Sequence, residues 1–107
     1  MNSKFSKISK GFIEFNNQKQ KVAEAYTNLV KVINKESSLD KKTRELIHIS
    51  LQAALGLHSG IPFHVLNGKE QGITKEEMID AVLVGLPLVG NKVTQSFSII
   101  TETFDTN

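Results

Sequence analysis

Apolar residues in this chain recur every three or four positions and nowhere alternate over a useful length. Phe5, Ile8, Phe12 and Phe15 stand at spacings of three, four and three, and Val22, Tyr26, Leu29 and Ile33 form a second such stripe. This is the period of one helix face, and the period of two that a half-buried strand needs is missing, so the fold class is all-α. The breakers then decide where helices stop. "NNQ" (16–18) weakens the first helix, and "NKESSLD" (34–40) supplies turn formers with Asp40 as a fresh N-cap. The next segment, "KKTRELIHISLQAALGL", is almost wholly apolar over 46–57 and predicts a central buried helix that stops at Gly56. Gly60 and Pro62 open a helix from about Ile61 to Gln71, closed by Gly72. In "GITKEEM", Thr74 and Glu77 have capping-box spacing, so a helix starts at Lys75 and runs to Gly85 or Leu86, where Pro87 interrupts it. The last helix spans about Asn91 to Phe104, with Val93, Phe97, Ile100 and Phe104 on one side.

A chain of 107 residues with this pattern predicts one small domain, residues 1–107, of five to six helices. Its net charge of +2 is the balance of 13 basic and 11 acidic residues spread along the chain, with no basic block interleaved with aromatics, so no nucleic-acid partner is expected. "KKTR" and "NNQKQK" read as solvated faces. No apolar run reaches the roughly 18 residues that span a bilayer, and "MNSKFSKISKGF" lacks the apolar core of a signal peptide. There is no cysteine, which fits a cytoplasmic protein and removes disulfides, thiolate nucleophiles and thiolate metal ligands.

The stretch "GLHSGIPFH" (56–64) puts two imidazoles in the most apolar region of the sequence. Glu45, His48 and Gln52 lie three and four residues apart on one face of the preceding helix, and a polar stripe there needs partners. Three groups are candidates to converge near the helix break. His64 falls in the first turn of its helix, where the macrodipole favours a bound anion over an imidazolium. His58 lies just before the same helix start. Glu45, one helix back, is placed to orient an imidazole and fix its tautomer, which makes a proton donor and acceptor unit. Each also has a plain structural reading: His58 as a satisfied turn residue, Glu45 as a partner of Arg44 or Lys41, and His48 as a structural or interfacial residue. Ser59 has no glycine-flanked elbow around it and makes a poor nucleophile. The histidine spacing matches no zinc signature, so neither metal nor cofactor is expected.

At these residues the chain resembles the carboxymuconolactone decarboxylase superfamily, which also contains the alkylhydroperoxidases. The likeness covers about Leu39 to Gly90 and rests on "LDKKTRELI", the apolar helix after it, "FH" and "GITKEEMIDAV". The peroxidase branch carries a Glu, eleven residues, a Cys, two residues, a Cys, three residues and a His; these positions are Glu45, Leu57, Gly60 and His64 here. Both thiols are missing, so thiol-dependent peroxide reduction is not expected. The decarboxylase branch resembles "HSGIPFH" in its two histidines six apart with Phe before the second, although Pro62 is displaced from that pattern. The resemblance implies an all-helical protomer assembling as a trimer or hexamer, with the site between the central helix and the next.

Two readings of function follow. The first is a cofactor-free decarboxylase or related lyase or isomerase acting on a small carboxylated lactone or dicarboxylate, with Glu45, His58 and His64 as the catalytic groups. In it the helix start at 60–63 holds negative charge, His64 donates the proton, and His58 holds the substrate carboxylate or acts as a second acid. A carboxylate substrate also asks for a cation, for which Arg44, Lys69 and Lys92 are the candidates. The second is a non-catalytic helical oligomer used for ligand sensing or protein–protein contact. A cavity beside Glu45, His58 and His64 favours the first, and a filled one the second.

Overall fold

The structure, a computed structural model, describes residues 3–106. Among these it is built from helices and turns with no strand. Six helices have nine residues or more: α1 (Lys10–Gln18), α2 (Gln20–Glu36), α3 (Lys41–Leu55), α4 (Ile61–Glu70), α5 (Lys75–Leu83) and α7 (Ser96–Thr106). A single-turn segment, α6 (Leu86–Val89), and short 3-10 turns at Lys4–Lys7, His58–Gly60 and Asn91–Gln95 complete the chain.

The caps explain most boundaries. Asp40 accepts from the Thr43 N–H at 2.8 Å and starts α3. Gly56 ends α3 in the left-handed region at φ 72°, and Leu57 N–H returns to the Gln52 carbonyl. The capping box before α5 is complete: Glu77 N–H donates to Thr74 Oγ1 at 3.0 Å, and Thr74 N–H donates to Glu77 Oε1 at 2.9 Å.

Three boundaries differ from expectation. The stripe from Phe5 to Phe15 is not one helix, because Ile8 and Ser9 are extended and Ser9 Oγ accepts from Phe12 N–H, capping α1 afresh. Alpha5 ends at Leu83, short of the expected Gly85 or Leu86, and Pro87 does not stop it but sits in the first turn of α6, where its missing N–H costs nothing. The segment expected to be helical from Asn91 is a 3-10 turn as far as Gln95, and α7 begins at Ser96.

The core lies where α3, α4, α5 and α7 meet. Ile49 and Ala53 of α3, Ile61 and Val65 of α4, Met78 and Val82 of α5, and Ile100 of α7 are fully buried, joined by Ile73 and Val93. The expectation of a central buried helix over 46–57 holds for one side of it only. The row Glu45, Ile49, Ala53 is buried and Leu46 packs partly against the core, while Ile47, Leu51 and Leu55, four apart on another face, are exposed. Alpha3 thus buries a carboxylate and exposes two of its three leucines. Gly68 lets α4 approach closely at that level: a Cβ added there would stand 3.5 Å from Glu45 Cγ and 3.0 Å from Met78 Cε. Alpha1 and α2 form a hairpin held by Phe12, Phe15 and Tyr26, whose rings meet edge-on with centroids 6.0–6.3 Å apart.

Candidate functional site

Glu45 takes its place in the buried row of α3, with only 6% of its side chain exposed. A carboxylate so buried needs donors for both oxygens. Alpha4 supplies them from one face, three residues apart. His64 Nδ1 pairs with Glu45 Oε1, and Asn67 Nδ2 donates to Glu45 Oε2 at 2.6 Å. Asn67 is fixed in turn, since Lys4 Nζ donates to its Oδ1 at 2.6 Å and lies 3.4 Å from Glu70. The N-terminal turn is therefore tied to the buried carboxylate through one amide.

His48, one turn after Glu45 on α3, brings a second imidazole. Its Nδ1 lies 4.0 Å from Glu45 Oε1, and its ring centroid is 4.8 Å from that of His64. Loss of hydration pushes the His48 pKa below its ordinary value, the neighbouring His64 lowers it further, and Glu45 opposes both. His48 is accordingly a neutral imidazole near pH 7.

Beside this cluster runs a groove of about 490 Å³ between α4 and the α1–α2 hairpin. His64, Gln52 and Gly60 line it on the inner side, Phe5, Phe12, Phe63 and Tyr26 form aromatic walls, and Lys7 brings a cation. With Nδ1 of His64 engaged by Glu45, Nε2 is left as the reactive ring atom. The arrangement can hold a small, partly apolar molecule against an imidazole of fixed tautomer.

Glu45 and His64, expected to converge, do so. His58 does not join them. It sits in the 3-10 turn, its Nε2 is buried without a partner, and it is neither in the imidazole–carboxylate cluster nor on the groove. The anion cradle expected at 60–63 is also reduced. Gly60 N–H returns to the Leu57 carbonyl and Ile61 N–H to the His58 carbonyl, while Pro62 has no N–H to offer. The suggested cations lie elsewhere: Arg44 donates to the Leu39 carbonyl, Lys69 to the Phe104 carbonyl, and Lys92 lies against Gly56. Lys7, Asn67 and the site role of His48 were missed. The three-residue step from His64 to Asn67, the two polar residues in the apolar stretch 61–67, was the available signal for Asn67; nothing local pointed to Lys7.

The model of the carboxymuconolactone decarboxylase family matches residues 20–102, from the start of α2 into α7. The chain belongs to the carboxymuconolactone decarboxylase family. The match reaches beyond the stretch Leu39 to Gly90 on which the resemblance rested, and it takes in the α2 wall of the groove. Comparison with curated proteins and with solved structures gave no match. Among the described residues, no helix is long and apolar enough to cross a membrane.

Proposed function

We propose that this family member is a cytoplasmic, homo-oligomeric enzyme that carries out cofactor-free decarboxylation, or closely related acid/base chemistry, on a small carboxylated lactone or dicarboxylate. The observation that carries the reading is the Glu45–His64 hydrogen bond beside an open groove. A scaffold that kept these residues only for packing has no need of a void next to the imidazole.

In the reaction, the bond between the carboxylate carbon and the substrate α-carbon breaks and carbon dioxide leaves. The bonding electron pair stays on the α-carbon and spreads into the adjacent carbonyl as an enolate. His64, entering the step with protons on both ring nitrogens, then gives the one on Nε2 to that carbon, keeps the Nδ1–H on Glu45, and is reprotonated from solvent. Glu45, accepting at Nδ1, fixes the ring so that Nε2 faces the substrate. The aromatic walls lower the polarity around the carboxylate, which favours loss of its charge as carbon dioxide. Lys7 takes over the anchoring role first given to the helix tip, pairing with a remaining carboxylate or carbonyl of the substrate. His58 has no part in these steps.

The test is carbon dioxide release from a panel of small carboxylated lactones and 3-oxo or unsaturated dicarboxylates. Wild-type protein turns over at least one, and His64→Ala lowers that rate by about two to four orders of magnitude, the usual scale for loss of a general acid. Full activity in His64→Ala, or no release across the panel, overturns the reading.

A further inference from the structure

We propose that Glu45, His48 and His64 together form a binding site for one divalent transition-metal ion of the zinc or ferrous type. This goes beyond the acid/base reading and rests only on the geometry of three side chains.

One donor atom from each of the three residues lies within 4.8 Å of the other two. Two imidazoles and one carboxylate are the donor set that borderline divalent ions prefer over calcium or magnesium. Glu45 and His48 stand at positions i and i+3 of α3, and His64 comes from the facing helix, so the ligands approach from two directions. The sequence shows no zinc pattern because the ligands are split between helices, sixteen positions apart from His48 to His64.

Ligand bonds of about 2.0–2.2 Å at tetrahedral angles place donors about 3.3–3.6 Å from one another around an ion. His48, with 46% of its side chain exposed, has the freedom to turn in by the ångström or so that this requires. Glu45 and His64 move apart as the ion takes the place of the proton between them. Asn67 holds Glu45 Oε2 and leaves Oε1 directed at both rings, which is the supporting contact that a ligating carboxylate usually has. The exposed edge of His48 and the groove beside His64 leave outer coordination positions for water or an anionic ligand.

The experiment is titration of the chelator-stripped full chain with Zn²⁺ by calorimetry and with Co²⁺ by visible absorption. Wild type takes up one ion per chain, and Co²⁺ develops ligand-field bands. His48→Gln and His64→Gln each weaken Zn²⁺ binding by at least tenfold, and Asn67→Ala weakens it by about tenfold, the scale of second-sphere losses. His58→Ala binds as wild type does. Circular dichroism checks the fold of each variant, and the half-exposed position of His48 makes His48→Gln the decisive one. Absence of saturable Zn²⁺ binding by wild type, or unchanged binding in His48→Gln, overturns the proposal. The two readings fail separately: turnover by stripped protein that binds no Zn²⁺ sinks the ion site alone, and Zn²⁺ binding without turnover of any substrate sinks the acid/base reading alone.

Discussion

Glu45 shows how much one residue can be read in advance. Its place in a stripe with His48 and Gln52 was visible in the spacing, and so was the need for something to face that stripe. His64 was a natural partner because the next helix had to start near Gly60 and Pro62. The part played by Lys4 was not legible, since its hydrogen bond to Asn67 joins residues 63 positions apart and leaves no local trace. The contrast between the two histidines of "HSGIPFH" belongs to this scale. His64 contacts the buried carboxylate and lines the groove, and His58 does neither. His58→Ala is therefore expected to change turnover by less than about tenfold, well short of the loss from a missing general acid. Steady-state rates for the two alanine variants on the same substrate check this. Equal losses in both would return His58 to the site.

Helix boundaries were legible where a side chain satisfies an orphaned backbone group, as at Asp40 and the Thr74–Glu77 box, and where a glycine can turn left-handed, as at Gly56. They were not where a cap competes with a continuing apolar stripe, as at Ser9, which restarts a helix inside the stripe of Phe5, Ile8, Phe12 and Phe15. The facing of α3 was also hidden, because a helix apolar on several sides does not announce which side is inward. The caps carry a pH consequence. Hydrogen bonds from Thr43 hold the Asp40 carboxyl below its usual range, and hydrogen bonds from Thr74 do the same for Glu77. Both groups bind a proton less readily folded than unfolded. Their stabilisation is therefore complete above about pH 5 and drains away as pH falls through and below the ordinary carboxylate pKa. Urea unfolding at pH 7 and pH 3.5 is expected to show a smaller acid loss in the Asp40→Asn, Glu77→Gln double variant than in wild type. An equal loss in the two proteins refutes the assignment.

Seen whole, the molecule leaves apolar surface uncovered. Alpha2 packs mainly on α1, Ala23 is its buried residue, and Val22, Leu29 and Ile33 are each more than half exposed. Alpha3 adds Ile47, Leu51 and Leu55. Rows of this kind on a small domain are expected to meet copies of themselves, because the alternative is apolar surface facing water. Sedimentation equilibrium should give a mass that is a multiple of 11.9 kDa, and the Leu29→Glu, Ile33→Glu double variant should shift it toward a single chain. A wild-type monomer at micromolar concentration would show that these rows serve something other than self-assembly. The same view bears on Gly60. A methyl group there would come within 2.5 Å of the Gln52 amide nitrogen, so that amide fills the place where a side chain would otherwise begin. Placing a thiol at position 60 therefore asks Gln52 to swing its amide aside, a small demand on the far end of a flexible side chain, and it redraws the inner wall of the groove only where that amide now lies.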